Sequence, residues 1–466
     1  MPMASQKYSN QHPEPSRRRE QRSKGGKSGG RYAASGDDRR SGDRVRIKPR
    51  ANGTPPKKKK RARTNGPCPI MDACGGCAWL GLPYRKQLAL KQEASRDLFS
   101  DLIGRNRWDV AVDPIVGMGG RGGEAGAIPA PRSFRYKAST PFAPGPHGAV
   151  RCGFFSRGTH AIVPVGSCIV EADGSRAILN GAAETAERLG IPAYDEDRRR
   201  GLLRYAVLRM GWKRDEAILT VVTARREIPR RAEFVAALRA LDPRIVCIAQ
   251  NVNPRPGNAI LGNETRILDG ADHMVDELLG CTFAISPGAF YQTNPEQTET
   301  LYRLAIDGME LRCGDVLMDA YCGSGTIGIA AAARAQQQGK TIELIGVERN
   351  QAGIRDAKRN ARLNDLSDRC RFVAQDATAF MVEAARHGER VDVLSIDPPR
   401  AGSTPEFLEA ACALGPRRIV YVSCGPSTQV RDIDFLARRG WRLTRLTPVD
   451  MFPHTPHIET VAVLER

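Results

Sequence analysis

Asp319-Ala320-Tyr321-Cys322-Gly323-Ser324-Gly325-Thr326-Ile327-Gly328 is the stretch whose reading decides the fold. It takes an apolar strand, Val316–Ala320, through a glycine-rich turn into a helix, Ile327–Arg334. The alternation carries on in both directions. A helix-like segment, Thr298–Leu311, precedes it. Apolar runs at Glu343–Val347, Arg371–Val373, Val391–Ile396 and Arg418–Val422 follow, with the helical stretch Ala352–Asn364 among them. Strands alternating with helices predict an α/β fold with a doubly wound parallel sheet. The polar candidates then fall at the C-terminal ends of the strands, where open α/β sheets bind their ligands.

The turn alone would also serve a dinucleotide dehydrogenase, but its surroundings narrow the choice. Glu348 lies 23 residues beyond Gly325, at the end of the next strand, where an acid holds ribose hydroxyls. Asp376 closes the following strand, placed to meet an adenine amine. Asp397-Pro398-Pro399-Arg400 is a rigid loop that sets Asp397 over the site. Amino-group methyltransferases usually end this loop with an aromatic residue, and Arg400 in its place argues against N-methylation of adenine. The next strand ends in Ser423-Cys424-Gly425-Pro426, a turn for which a dehydrogenase has no use. A carboxylate follows in His454-Thr455-Pro456-His457-Ile458-Glu459. Cys424 as nucleophile and Glu459 as base suit a weakly nucleophilic ring carbon such as C5 of uracil, which a thiolate at C6 activates. The plainer alternatives are a buried strand-end cysteine and a carboxylate on a final strand, with His454 and His457 structural.

Three cysteines cluster in Cys68-x5-Cys74-Gly75-Gly76-Cys77. Two glycines in the last pair allow a tight turn around a small inorganic centre, which needs a fourth ligand; Cys152 and Cys168 are the candidates. One close pair with an outlier favours an iron–sulfur cluster over zinc, whose structural sites usually show two matched Cys-x2-Cys pairs. Cys247, Cys281, Cys313, Cys370 and Cys412 read as ordinary reduced cysteines.

Charge is unevenly spread. Residues 1–66 hold 20 Lys and Arg against 5 Asp and Glu, so +15 of the total +19 sits there. This segment, rich in Gly, Ser and Pro, cannot bury a core and is expected to be a disordered basic tail, either an arm for polyanions or a solubilising extension. Its Lys57–Arg63 run also fits a nuclear localisation pattern, one that is common by chance. The chain shows no apolar run long enough for a membrane span and no secretory signal, so a cytoplasmic enzyme is expected. Between about 108 and 284, short β-branched runs (Ala161–Val165, Ala217–Val222, Ile245–Asn251) and two helices (Ala177–Leu189, Arg231–Leu241) predict a β-rich domain. Ser133-Phe134-Arg135-Tyr136-Lys137 interleaves aromatic and basic side chains, as single-stranded RNA binding uses and as an amphipathic edge strand also shows. The expected division is a tail, 1–66; an iron–sulfur and β-rich RNA-binding domain, 67–284; and a catalytic domain, 285–466.

On these motifs the chain, from about residue 67 to 466, resembles the RNA 5-methyluridine methyltransferase family. The resemblance implies a class I, Rossmann-like methyltransferase sheet beside the β-rich domain, using S-adenosyl-L-methionine. Ser286-Pro287-Gly288-Ala289-Phe290-Tyr291-Gln292-Thr293-Asn294 is similar to the family's Phe-x-Gln-x-Asn entry to the catalytic domain, which implies that Gln292 contacts the donor. By the same carry-over Tyr321, Thr326, Glu348, Asp376 and Asp397 line the donor site. Cys424 matches the nucleophile and Glu459 the base, and Cys68, Cys74, Cys77 and Cys168 match the ligands of a [4Fe–4S] cluster. Arg135-Tyr136-Lys137 looks like a Tyr-Arg-Asn-Lys region near RNA, with the asparagine missing. The chain departs from the family at Thr326, usually Asn, at Gly425, where the family has Asn, and in lacking an N-terminal β-barrel. The cluster cysteines, which the tRNA-specific bacterial members lack, imply 23S ribosomal RNA as the acceptor by family analogy; a monomer is expected. Transfer RNA, and a non-catalytic RNA-binding iron–sulfur protein, are the alternatives.

Overall fold

The computed structural model describes residues 68–121, 130–156, 159–257 and 259–466. The basic tail therefore lies outside the described residues, apart from the cysteine segment that follows it.

Cys68 and a helical turn, α1 (Met71–Cys74), lead to a long helix, α2 (Tyr84–Asn106), and a short hairpin, β1 (Val116–Gly117) and β2 (Gly120–Arg121). The β-rich domain follows: β3 (Lys137–Pro144), β4 (Val150–Phe155), β5 (Ile162–Pro164), α3 (Ser175–Arg188), β6 (Leu203–Met210), β7 (Ala217–Thr223), α4 (Arg231–Arg239), β8 (Ile245–Val252) and β9 (Glu264–Gly270). Its strands form one sheet in the order β5-β4-β3-β6-β7-β8-β9, with α3 and α4 closing its core. A hairpin, β10 (Met274–Leu278) and β11 (Cys281–Ile285), then passes the chain to the catalytic half.

That half runs α5 (Pro295–Met309), β12 (Val316–Ala320), α6 (Thr326–Gln337), β13 (Glu343–Glu348), α7 (Gln351–Leu363), β14 (Cys370–Ala374), α8 (Ala377–His387), β15 (Val393–Ile396), α9 (Pro405–Leu414), β16 (Arg418–Ser423), α10 (Pro426–Ala437), β17 (Arg442–Val449) and β18 (Glu459–Glu465). The helices start where their first turns are satisfied. Asn294 accepts from Gln297 N ahead of Pro295, and Asp376 and Thr404 cap α8 and α9 the same way. All five residues of β12 are buried, as expected of a strand covered on both faces.

The sheet order is β14-β13-β12-β15-β16-β18-β17-β1-β2. The chain winds one way from β12 to β14 and the other way from β15, so a crevice opens between β12 and β15 at the carboxyl ends. The doubly wound sheet is as expected, with one addition. β18 is antiparallel and sits between β16 and β17.

The grouping of residues 67–284 differs from the expectation in one respect. β1 pairs with β17, and Phe99 and Leu102 of α2 lie fully buried in the same core as Trp441 and Leu446. Helix α2 and the first hairpin thus complete the catalytic layer. Its inward face mixes Leu88, Phe99 and Leu102 with buried Gln87, Lys91 and Ser95, so no continuous apolar stripe announces it.

Candidate active site

β16 delivers Cys424 just past its last residue, at the crevice edge. β18 runs in the opposite direction and begins at that same edge. Thr460 pairs with Ser423, so Glu459, the residue before it, emerges beside the cysteine. Glu459 is 3 % exposed. Burial, and the neighbouring Asp397, push its carboxyl up to about 8, while Arg400 opposes them. Burial raises the Cys424 thiol, Glu459 and Asp397 raise it further, and the Arg400 guanidinium draws it back. Asp397 is half-buried, and the atoms crowded around it push it up to about 7. Nucleophile, base, Asp397 and Arg400 are therefore one electrostatic unit.

The two loops that carry them touch. A Cβ on Gly425 would stand 2.9 Å from the carbonyl oxygen of Arg400 and 3.0 Å from Thr428 Oγ1. Thr428 Oγ1 itself donates to that carbonyl at 3.0 Å. Glycine at 425 is what allows this approach.

The donor residues line the same edge. Tyr321 follows β12 with φ 66°, a left-handed conformation unusual for a bulky side chain, and its ring packs 5.3 Å from Phe407. Gly325, at φ 79°, opens α6; a Cβ there would meet Ile329 Cδ1 at 2.9 Å. Asp319 Oδ2 accepts from Gly328 N at 3.0 Å, and its Oδ1 is buried without a partner. Burial, chiefly, with added pressure from Asp397 and Glu348, lifts Asp319 to about 7. Glu348 ends β13, its Oε1 accepting from Asn350 N at 2.6 Å. Asp376 is exposed and already caps α8 through Thr378 N and Ala379 N. Gln292 sits on the linker that crosses the turn, two residues past Phe290, whose carbonyl accepts from Ser324 Oγ at 3.4 Å. Three acidic groups held above their usual range, one with an orphaned oxygen, fit a ligand that brings positive charge. S-adenosylmethionine carries both an ammonium and a sulfonium.

The cysteine segment is built differently. Cys77 is half-buried against Met118, Phe134 and Val170, together with Cys168. Burial raises the Cys77 thiol to about 11, and Cys168, Cys74 and Cys68 each contribute to the rise. Cys77 and Cys168 thus pack on one apolar cluster, and the charges of Cys74 and Cys68 reach Cys77. Among the described residues, no three His, Cys, Asp or Glu side chains are gathered at metal-binding spacing. Cys152, the other candidate, is engaged elsewhere, 3.2 Å from Asn180 Oδ1. Phe134 is 4 % exposed in this packing, so it is not free to stack on a base; Tyr136 and Lys137 remain half-buried.

Comparison with known proteins bears on this arrangement. Residues 280–466 match the family model described as tRNA (Uracil-5-)-methyltransferase. An uncharacterised RNA methyltransferase of Halalkalibacterium halodurans is 37 % identical over 403 residues, covering 86 % of this chain and 84 % of the relative. One from Bacillus cereus is 34 % identical over 404 residues, covering 87 % and 84 %. The chain belongs to the RNA 5-methyluridine methyltransferase family. Among solved structures, the Pyrococcus abyssi tRNA (uracil-54, C5)-methyltransferase in complex with S-adenosyl-L-homocysteine superposes with a TM-score of 0.65 at 26 % identity, covering 84 % of this chain and 85 % of that one.

As an RNA 5-methyluridine methyltransferase, the protein is an S-adenosylmethionine-dependent enzyme acting on uracil in RNA. Among the described residues, no helix is long and apolar enough to cross a membrane. Two residues at the site of this methyltransferase escape sequence reasoning. Tyr302 on α5 is buried, its hydroxyl 3.1 Å from Thr326 Oγ1. Burial, chiefly, holds its hydroxyl well above the usual tyrosine range, with Asp397, Asp319 and Glu459 adding to the rise and the Thr326 hydrogen bond opposing it. In sequence it is one more aromatic on an apolar helix face. Arg400 was legible only as the absence of an aromatic, not as the cation beside thiol and base. The two histidines also part company. His454 is fully buried and hydrogen-bonded, whereas His457 is exposed and feels the Arg400 charge.

Proposed function

We propose that the enzyme methylates C5 of a uridine in 23S ribosomal RNA through a covalent cysteine adduct. The observation that carries this reading is the juxtaposition of Cys424 with Glu459 across the β16–β18 pair. The Cys424 thiolate, favoured by Arg400, bonds to C6 of a uracil flipped into the crevice, and the C5–C6 electrons move into an enolate. Bound S-adenosylmethionine would supply an electrophilic methyl group to C5, the methyl–sulfur electron pair staying on sulfur so that a neutral thioether leaves. Glu459, as a carboxylate, then removes the C5 proton while the C6–sulfur bond breaks and the thiolate is released. Gln292, Tyr321, Thr326, Glu348, Asp376 and Asp397 hold the donor, with the acids of the crevice balancing its charge.

Cys68, Cys74, Cys77 and Cys168 would hold a [4Fe–4S] cluster, to which they supply four thiolates. Its place beside Phe134 and Arg135 favours a structural part near the RNA. Cytoplasmic, monomeric action and RNA contacts by the β-rich domain complete the reading. The Pyrococcus abyssi neighbour, a tRNA (uracil-54, C5)-methyltransferase, favours transfer RNA as a second reading. Mapping 5-methyluridine in ribosomal and transfer RNA from a deletion strain decides between them. A missing 23S modification that the wild-type gene restores, and a Cys424→Ala allele does not, is the expected result.

A further inference from the structure

Three segments of the molecule meet around one buried ion pair. Lys91 Nζ of α2 lies 2.5 Å from Asp450 Oδ1, and both side chains are 0 % exposed. The other carboxylate oxygen accepts from Tyr84 OH at 2.7 Å, and Tyr84 OH in turn accepts from Met118 N at 2.9 Å. Lys91 also donates to the Phe452 carbonyl at 3.1 Å. One helical turn earlier, Gln87 donates to the carbonyls of Trp79 and Leu82 and accepts from His454 N at 2.8 Å. Trp79 N donates to the His454 carbonyl at 2.9 Å, and His454 itself is held at φ 64°. From the other side, Asn294 donates to the Met451 carbonyl at 3.0 Å and Gln297 to the Asp450 carbonyl at 3.1 Å.

The turn from Asp450 to His454 is thus gripped by α2, by the residues just after Cys77, and by the start of α5. It leads directly to Glu459. A buried pair of this kind is a poor way to gain stability, since apolar residues of equal volume often do as well or better. What the network provides is a single geometry for a turn whose backbone would otherwise have several.

We propose that Tyr84, Gln87 and Lys91 are positioning residues for Glu459. They fix the Asp450–His454 turn so that the carboxylate at the start of β18 meets the C5 proton, and they link the cysteine-bearing segment to the elimination step. This rests on the reading of Glu459 as the base.

The test is single-turnover methylation by the full chain, with adduct formation and adduct resolution timed separately. Amide hydrogen exchange is followed over residues 451–459. Lys91→Met removes one charge and leaves the other buried, so it is paired with the charge-balanced Lys91→Met/Asp450→Asn, and Tyr84→Phe serves as a mild variant. In the double variant resolution is expected to slow by about 10²-fold, the order of loss that ångström-scale misplacement brings. Adduct formation should stay within about threefold of wild type by the same reasoning, because Cys424 sits on β16 and not on the turn. Exchange at 451–459 should quicken while that over Val316–Glu348 does not. Unchanged resolution in a folded double variant overturns the proposal, as does an equal fall of both steps. Glu459→Gln is run alongside. If it traps no adduct, the base reading has failed, and exchange over 451–459 alone decides the brace, with unaltered exchange overturning it.

Discussion

The β16–β18 edge and the Cys68–Cys77 segment each bring chemically active side chains together, but by opposite means. At the sheet edge, register does the work. Adjacent strands with every ladder partner in place put Glu459 beside Cys424. The cysteine segment has only a four-residue helix, α1, with no buried residue and no side-chain cap. Among the described residues, its thiols are not gathered at metal-binding spacing. A site made by sheet register exists before its ligand arrives, whereas a site on loops takes its final shape from what it binds.

The largest effect should fall on the sheet edge. Cys424→Ala is expected to lower single-turnover methylation by at least about 10⁴-fold, the scale seen when a covalent nucleophile is removed. Donor affinity, measured by calorimetry, should barely change, because the thiol serves the acceptor ring. Turnover above a few per cent of wild type would move the nucleophile elsewhere. Glu459→Gln should lose about 10²- to 10⁴-fold in the rate of product release, the range for a general base. Thiol addition and methyl transfer should persist, so a protein–RNA adduct should survive denaturing gels.

The edge was readable in part. The nucleophile turn, the donor strands and the base are short motifs, because each chemical task restricts a few adjacent residues. Their meeting was not readable, since it depends on β18 entering antiparallel between β16 and β17. Helix α2 was missed for a related reason: polar Gln87, Lys91 and Ser95 occupy positions where periodicity looks for apolar residues, and they are satisfied by partners hundreds of residues away, by carbonyls just ahead of the helix or by the helix itself. Phe134 looked like a stacking platform because sequence cannot show which aromatic faces inward.

A third prediction uses pH. Glu459 must be ionised to accept a proton and is held at about 8, so the resolution rate should rise about tenfold per unit below that value and then level off. Stability should move the other way. Asp319 and Asp397 at about 7 and Glu459 at about 8 keep their protons longer than unfolded carboxyls, which ionise near 4. Between about pH 4 and 8 the folded state binds more protons, so stability is fullest at the acid end and declines as pH rises. Thermal melts across that range should show the decline, and saturating donor should flatten it. A donor-free melting curve that rises with pH would contradict the burial of these acids.

The cysteine segment should respond more gently. Protein purified without oxygen should be brown, with about four irons per chain by four-cysteine ligation. Cys77→Ser or Cys168→Ser should bleach it and weaken RNA binding while donor binding survives. Stoichiometric zinc and no visible absorbance would replace the cluster with a zinc site. The smallest effect on chemistry should come from residues 1–66, which hold +15 of the +19 charge. Their deletion should lower RNA affinity at low salt and flatten its salt dependence, through fewer released counterions. The saturated single-turnover rate should hardly move, and its collapse would give the tail a part in placing the RNA.

Gly425 has a consequence for descent. A relative with asparagine at this position cannot share this backbone, because the first side-chain atom would press on the Arg400 carbonyl at 2.9 Å. Whichever of the two loops altered first, the other had to follow or the intermediate carried a clash at its catalytic centre. Residue 425 and the path of the Asp397–Arg400 loop are therefore expected to change together. Swapping either one alone between family members should fail where swapping both succeeds.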